Sequence, residues 1–292
     1  LARFLRIPLI ATFHGFDATV TEEFAKNHST FRNRVYLRRK HILQREGSLF
    51  IAVSRFIEKK ILEQGFPREN TLVHCTGTDT DFFRPNERTV REPIVLFVAR
   101  LDDKKGCEYL IRAMAEVQSV MPEVELVVIG EGHLRASLER MAKERLRSFR
   151  FLGFQSSEAV REWMNRAKVF AVPSVRAESG DTEGFGMVFI EAQAMGLPVA
   201  SFASGGVPEA VAHGESGLLA AERDWQSLAQ NILLLLQNHT LWARMSDAGR
   251  RRVRSLFDLG KQTKLLEDIY SRVLGVPNAM PRVNRANTNG RP

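Results

Sequence analysis

The chain has 292 residues, of which 44% are hydrophobic and 26% are charged, and its formal net charge is +8 at pH 7. This composition excludes a chain that is disordered throughout, a collagen-like fibre and a small disulfide-rich protein, and the length favours two domains. The longest purely aliphatic run, Ile232–Leu236, is far shorter than the ~20 residues of a membrane-spanning helix, and no signal peptide is recognisable.

Apolar runs predict the elements in chain order, and their character changes at a polar, proline-bracketed segment, Phe82–Pro93, that we interpret as a linker. Before it we predict buried strands at Pro8–Phe13 and Leu49–Val53, with a charged helix at Phe31–Gln44 between them. After it, β-branched or aromatic runs predict strands at Ile94–Ala99, Glu125–Ile129, Phe149–Leu152, Val169–Val172 and Pro198–Phe202. Helices are predicted at Gly106–Val120, Leu134–Leu146, Glu158–Arg166, Met187–Met195 and Asp224–Gln237. Such alternation predicts a parallel sheet with helices on both faces and ligand binding at the carboxyl ends of its strands.

The two ends of the chain carry their own predictions. Two further helices follow Leu241, the second ending near Leu274, and the Pro-, Asn- and Arg-rich residues 276–292 are predicted to be disordered. The first residue is Leu1 rather than Met, and an apolar strand follows almost at once. We therefore expect the natural start of the protein to lie upstream.

Two strand ends carry the groups of an anion site. Arg100 follows the strand at Ile94–Ala99, and Lys104, Lys105 and a glycine precede the next helix. A guanidinium and an ammonium beside a helix N-terminus suit a diphosphate, although Lys104 alone is better explained as a solvated charge. After the next strand, Gly130 and Gly132 predict a tight turn that lets the backbone approach a ligand.

The segment from Glu183 to Glu191 has the densest chemistry. Two glycines precede an apolar helix, so the amides of Gly186, Met187 and Val188 can point at an anion or a hydroxyl group. The two glutamates beside them are acceptors for sugar hydroxyls. Taken singly, each has a structural explanation, a charge on the helix dipole for Glu183 and an exposed helix position for Glu191.

The combined motifs resemble glycosyltransferase family 4, retaining enzymes of the GT-B fold that use nucleotide sugars. The motifs that carry the resemblance are Arg100-x4-Lys105-Gly106, Gly130-Glu131-Gly132, Pro173-Ser174, Glu183-x7-Glu191, Gly205-Gly206-Val207-Pro208-Glu209 and Gly214-x2-Gly217-Leu218-Leu219. Before the linker they are His14-Gly15-x-Asp17, Val53-Ser54 and Gly77-x-Asp79-x2-Phe82.

The resemblance implies a fold of two Rossmann-like domains and a role for each motif. Residues 1–85 would be the later part of the acceptor-side domain, 86–255 the complete donor-binding domain, 256–275 a closing helix that packs back on the first domain, and 276–292 the tail. Arg100 and Lys105 would hold the donor diphosphate, Glu191 the ribose and Glu183 the transferred sugar. Backbone amides of Gly186–Val188 would contact the sugar and phosphate, and His14 would reach the reacting centre from the first domain.

The resemblance implies that the anomeric configuration is retained by front-face attack, in which the departing phosphate takes the proton of the acceptor. The sequence shows no convincing covalent nucleophile. Asp79-Thr80-Asp81 matches the metal clamp of the other major glycosyltransferase fold, but a turn-capping role is favoured here, and no metal is expected. The other histidines lack metal-ligand spacing.

The basic stretch Arg32–Arg45 is predicted to place Arg34, Arg38, His41 and Arg45 on one helix face and Phe31, Val35 and Ile42 on another. This arrangement suits an interfacial helix on anionic lipid, and a solvated face explains it equally well. Nucleic acid is disfavoured because no stacking aromatics are interleaved. The membrane interpretation predicts a cytoplasmic protein, peripheral at the inner face of the membrane, with a lipid-linked or glycan acceptor.

Several functions remain open at this stage. The family's first domain normally begins with further βαβ units, about 80–100 residues by the size of such units, so we expect this chain to bind nucleotide better than it transfers sugar. The alternative to a retaining enzyme of envelope or extracellular polysaccharide synthesis is a truncated, non-catalytic nucleotide-sugar binding module. A nucleotide-sugar epimerase fits the Glu-x7-Glu segment poorly, and a nicotinamide dehydrogenase lacks a complete glycine fingerprint.

Overall fold

The smaller of two parallel sheets has three strands. The protein is described by a computed structural model over residues 7–21, 23–24 and 31–275, without the side chains of residues 31–34 and 37. Strands β1 (Ile10–Phe13), β2 (Leu49–Ala52) and β3 (Thr71–Val73) lie side by side in that order. Their connections contain helices α1 (Phe16–Thr19), α2 (Phe31–Glu46) and α3 (Arg55–Glu63). Parallel neighbours need such crossovers, and the fully buried strand β2 reads as a continuous apolar run for the same reason.

The larger sheet has six parallel strands in the order β6-β5-β4-β7-β8-β9. They are β4 (Ile94–Val98), β5 (Glu125–Ile129), β6 (Phe149–Phe151), β7 (Val169–Ala171), β8 (Val199–Phe202) and β9 (Gly217–Ala220). The helices between and after them are α4 (Cys107–Val120), α5 (Arg135–Arg145), α6 (Ser157–Arg166), α7 (Met187–Ala194), α8 (Val207–Ala210), α9 (Trp225–Gln237), α10 (His239–Leu256) and α11 (Leu259–Leu274). The strand order reverses between β4 and β7, which makes their carboxyl ends the expected ligand crevice.

The core of the larger sheet is aromatic and aliphatic. Phe97, Phe170 and Phe189 are completely buried, and the rings of Phe170 and Phe189 meet edge to face with centroids 6.2 Å apart. Burial of one such side chain contributes about 2–3 kcal/mol. This packing fixes helix α7 against strand β7, so the loop that joins them is held at both ends.

Polar contacts join the two sheets directly. Ser54 Oγ, at the N-terminus of α3, donates to Gly184 O at 2.6 Å. The Glu209 carboxylate accepts hydrogen bonds from the backbone N–H groups of Arg55 and Phe56, both at 2.8 Å. Glu209 lies on α8 of the other sheet, so this carboxylate caps a helix across the boundary between the two units.

The elements confirm the predicted alternation and correct its details. Strands and helices predicted after the linker are present within a residue or two, whereas the strands β3 and β9 and the helices α1, α3 and α8 were not predicted. β3 has only three residues, none of them fully buried, and β9 lies within a glycine-rich motif that reads as a loop. α3 could have been found, because it is amphipathic and begins at the N-cap Ser54.

The C-terminal predictions have a mixed outcome. The turn before α11 docks on the first unit, since Thr78 exchanges backbone hydrogen bonds with Phe257 and Leu259 at 2.8 and 2.9 Å. Leu259, the first residue of α11, makes this contact, and no residue of the helix is fully buried. The packing of the rest of α11 on the first unit stays a prediction. The predicted disordered tail, 276–292, lies outside the described residues. None of the helices that the structure describes combines the length and apolar character of a membrane span.

Candidate functional site

Two lysine–carboxylate pairs lie at the carboxyl ends of β4 and β7. Lys105 Nζ is hydrogen-bonded to Glu183 Oε2, and Lys104 Nζ lies 3.0 Å from Asp181 Oδ2. All four side chains are 11–15% exposed, so water screens these charges only weakly. The expectation that Lys104 is a solvated surface charge is therefore wrong. The pairs concentrate two ammonium groups and two carboxylates at the point where the strand order reverses.

The loop that carries Glu183 is held by backbone contacts on both sides. Glu183 O accepts from Gly206 N at 2.8 Å, and a Cβ added to Gly184 would lie only 2.1 Å from His14 O. Any side chain at position 184 would separate the two sheets at this point. The close approach explains why a glycine directly follows Glu183, and it brings the end of β1 next to the lysine–carboxylate pairs.

Helix α7 begins beside this loop and presents its first amides. Its N-cap is Gly186, with a φ of 91°, and no side chain in the described part of the chain caps this N-terminus. The N–H groups of Met187 and Val188 are therefore available to an anion or hydroxyl group. The prediction that the helix starts at Gly186 and that Glu191 lies more than one turn inside is confirmed.

Glu191 is not an exposed helix glutamate. Its side chain is half-buried, and this burial raises the pKa of its carboxyl to about 7. A carboxyl that ionises near neutral pH can accept hydrogen bonds as a carboxylate or donate one as an acid. Perturbed carboxyls beside a strand switch point are typical of functional sites.

Arg100 and the turn formed by Gly130 and Gly132 lie at the same ends of the strands, and among the described residues neither forms a hydrogen bond or an ion pair with the lysine–carboxylate pairs. Arg100 is exposed, with 73% of its side chain accessible, and its Nη2 lies 3.2 Å from Asp102 Oδ2. Gly130 and Gly132 pack against the adjoining strand end, because an added Cβ would lie 1.9 Å from Ala99 O and 2.2 Å from Leu101 O. This packing explains both glycines without any ligand.

His14 follows β1 directly and is exposed at its carboxyl end. Its backbone N–H and that of Gly15 donate to Asp17 Oδ1 at 3.2 and 2.9 Å, so Asp17 shapes the turn. The side chain of His14 is exposed, and its backbone carbonyl lies beside Gly184 of the Glu183 loop. The predicted role of its imidazole stays a prediction.

Comparison with known proteins identifies the family. The family model described as Glycosyl transferases group 1 matches residues 79–252, more than half of the chain, and the model described as Glycosyltransferase Family 4 matches residues 1–82. The chain belongs to the group 1 glycosyltransferases.

Curated relatives of this glycosyltransferase act in polysaccharide synthesis, by their names. The amylovoran biosynthesis glycosyltransferase AmsK of Erwinia amylovora is 30% identical over 271 residues, which cover 90% of this chain and 64% of the relative. The putative colanic acid biosynthesis glycosyltransferase WcaL of Escherichia coli is 32% identical over 244 residues, which cover 81% and 57%. The chain thus spans about three fifths of the length of these relatives.

Solved structures confirm the GT-B fold. Anabaena HepE in complex with UDP-glucose superposes with a TM-score of 0.77 at 23% identity, over 93% of this chain and 74% of HepE. Sucrose-phosphate synthase from Thermosynechococcus elongatus superposes with a TM-score of 0.74 at 25% identity, over 94% and 71%. Both comparisons include the two sheets of this glycosyltransferase chain.

Two other sequence predictions concern residues away from the lysine–carboxylate pairs. Asp79 Oδ1 accepts from the backbone N–H groups of Asp81 and Phe82, both at 2.9 Å, which confirms its turn-capping role. On α2, the predicted basic face has Arg38, His41 and Arg45 exposed, while the side chain of residue 34 lies outside the description. On the predicted apolar face Val35 is half-buried and Ile42 is exposed; the side chain of residue 31 is likewise not described.

Some site residues of the glycosyltransferase were missed in the sequence. Asp181 pairs with Lys104 and also accepts from Thr19 Oγ1 at 3.1 Å, so it touches both units. Glu209 was seen only as part of a glycine-proline motif, although its carboxylate caps α3. Neither partner could be found from spacing, because each pair joins segments more than 75 residues apart.

Proposed function

We propose that this chain is the donor-binding part of a retaining glycosyltransferase that moves a sugar from a nucleoside diphosphate sugar to a glycan or lipid-linked acceptor. The observation that carries the proposal is the hydrogen-bonded Lys105–Glu183 pair at the switch point, followed in the chain by the uncapped helix α7, which contains the half-buried Glu191. The names of AmsK and WcaL support a role in extracellular or envelope polysaccharide synthesis. The UDP-glucose bound to HepE supports a nucleotide-sugar donor.

Each group at the site suits one part of such a donor. The Lys105 ammonium, the Arg100 guanidinium and the free amides of α7 suit the diphosphate, because cations and helix N-termini stabilise phosphate charge. Glu183 accepts hydrogen bonds from hydroxyl groups of the transferred sugar, and Glu191 accepts them from the ribose.

The reaction follows from these placements. The bond between the anomeric carbon and the diphosphate oxygen breaks, and the negative charge that develops on the leaving diphosphate is stabilised by Lys105 and the amides of α7. The acceptor oxygen attacks from the same face and transfers its proton to the departing phosphate oxygen, so the configuration is retained without a protein nucleophile. His14 contacts the transferred sugar from the other unit and orients it.

A titration tests donor binding. Isothermal calorimetry with UDP, GDP and ADP, and then with their glucose or mannose conjugates, should show one preferred nucleotide. Lys105→Gln should weaken that nucleotide by about tenfold or more, because a charge-assisted hydrogen bond to phosphate contributes about 1.5–3 kcal/mol. Lys143→Gln on α5, an exposed lysine, is the matched control and should bind as the wild type does. Absence of binding by every nucleotide, in a folded chain, would overturn the proposal.

A second measurement separates transfer from binding. Glu183→Gln should keep nucleotide affinity within a few-fold while it abolishes sugar transfer or donor hydrolysis, since Glu183 is assigned to the sugar and not to the nucleotide. Proton NMR of the product should show the anomeric configuration of the donor, and an inverted product would refute the front-face mechanism. Tight binding by a wild type that neither transfers nor hydrolyses would favour the binding-module alternative for this chain.

We further propose that α2 rests on the inner face of the membrane and that the reaction needs no metal. Arg38, His41 and Arg45 form an exposed basic stripe beside the exposed Ile42, and such a face suits anionic lipid. Sedimentation with phosphatidylglycerol vesicles should recover the protein, and phosphatidylcholine vesicles should not. The double variant Arg38→Gln/Arg45→Gln should lose this binding, whereas equal recovery of the variant and the wild type would show that these arginines do not bind the membrane.

Activity that disappears in EDTA and returns with Mg²⁺ would refute the metal-independent reaction.

A further inference from the structure

A cavity lies at the amino ends of the strands of the larger sheet, whereas the lysine–carboxylate pairs lie at the carboxyl ends. It has a volume of about 430 Å³ and is lined by residues that precede three strands, Arg91 before β4, Lys168 before β7 and Gly196 before β8. Helix α10 closes the other side with Trp242 and Arg250. The amino ends of the strands form this cavity, so it is separate from the proposed donor site at their carboxyl ends.

Positive charge dominates the lining. Arg91, Lys168 and Arg250 face one carboxylate, that of Glu87, which is exposed on the linker. Within the described part of the chain, Arg91 donates hydrogen bonds to backbone carbonyls alone, those of Met164, Ala167 and Met195, at 2.9, 2.8 and 2.6 Å. These hydrogen bonds hold the guanidinium in place and leave its charge unneutralised.

Arg250 is the second guanidinium of the cavity. Its Nε is buried and has no hydrogen-bond partner among the described residues, which is a costly arrangement for a charged donor. Its side chain lies over Gly196, where an added Cβ would approach Arg250 Cδ to 3.2 Å. Burial, and after it the nearby charge of Arg250, lowers the pKa of Arg91 to about 10, as expected for two cations that face the same cavity.

Two converging guanidinium groups with a lysine are the donor set that phosphate prefers. The indole of Trp242 adds an apolar wall, fixed by its Nε1–H donated to Lys168 O at 2.7 Å. The volume is within the range of small-molecule sites and exceeds what a bare phosphate needs. We propose that this cavity binds a phosphorylated small molecule of the size of a sugar phosphate, with its phosphate between Arg91 and Arg250.

Glucose 6-phosphate, ribose 5-phosphate and inorganic phosphate are the probes, titrated by calorimetry into the whole chain. The sugar phosphates should bind more tightly than inorganic phosphate, because only they reach the indole. Arg250→Gln should weaken binding by about tenfold or more. Arg251→Gln, the exposed neighbour on the same helix, should bind as the wild type does and controls for net charge.

Two further variants make the result decisive. Lys168 lies on the opposite wall and is only half-buried, and Lys168→Gln should also weaken binding. This variant tests the same proposal if Arg250→Gln does not fold. Lys105→Gln should leave the affinity unchanged, since it alters only the proposed donor site. Equal affinities of wild type and Arg250→Gln, equal losses in Arg250→Gln and Arg251→Gln, or loss of binding in Lys105→Gln would each overturn the proposal.

Discussion

Replacing Glu191 with glutamine should remove the pH dependence that this carboxyl gives to the free energy of unfolding. Burial raises the pKa of Glu191 from 4.5 to about 7, so the folded chain holds a proton that the unfolded chain has lost between these values. The contribution of this carboxyl to the free energy of unfolding is therefore fully present below about pH 4.5, and it is lost as the pH rises towards 7. Between pH 5 and pH 8 the linkage relation gives a loss of about 2.5 kcal/mol.

Glutamine cannot ionise, so Glu191→Gln avoids this loss. Urea denaturation followed by circular dichroism at pH 5, 6, 7 and 8 gives the free energy of unfolding of each protein. The advantage of the variant over the wild type should grow by about 2.5 kcal/mol across this range. Glu215→Gln, at an exposed loop carboxyl, is the control and should show no such trend.

A constant difference between wild type and Glu191→Gln from pH 5 to pH 8 would refute the reasoning, because it would mean that burial does not perturb this carboxyl. The same group links pH to the proposed donor site. If the ribose is held by the ionised carboxyl, nucleotide affinity should rise by up to about tenfold between pH 6 and pH 8, and Glu191→Gln should abolish this rise.

The remaining predictions concern the contacts between the two units. Gly184→Ala should destabilise the chain by about 1–3 kcal/mol in thermal denaturation, because its Cβ would meet His14 O at 2.1 Å, whereas Gly260→Ala, with its nearest atom at 3.4 Å, should change stability by less than about 1 kcal/mol. Glu209→Ala should cost about 1–2 kcal/mol by urea denaturation, since it removes two hydrogen bonds at 2.8 Å from the first turn of α3; an unchanged midpoint would show that water replaces this cap.

Five of the six strands of the larger sheet, β4 to β8, were predicted because each is a short apolar or aromatic run between glycine or charged residues, whereas β9 lies in a glycine-rich motif. The sequence also predicted which residues gather at one sheet edge, since parallel strands place their carboxyl ends together. The pairing of Lys105 with Glu183 agrees with this expectation, and the functional roles of Lys105, Glu183 and Glu191 stay predictions.

Contacts between segments that are far apart in the sequence could not be predicted from strand ends or periodicity. The partner of Lys104 is Asp181, and no periodicity connects the two; Lys104 lies in a single 3-10 turn, Asp103–Lys105, that directly precedes α4. The burial of Glu191 depends on neighbours from several elements, so its shifted pKa could not be read from its place in the helix.

The ion pair between Lys105 and Glu183 has a consequence for ligand discrimination. A simple anion that drew Lys105 away would leave a carboxylate of 11% exposure without its counter-charge, and the affinity gained at one group would be lost at the other. A molecule with phosphate oxygens for the ammonium and hydroxyl groups for the carboxylate satisfies both at once. In the proposed donor site the pair therefore selects for a sugar attached to a diphosphate, and it disfavours inorganic phosphate.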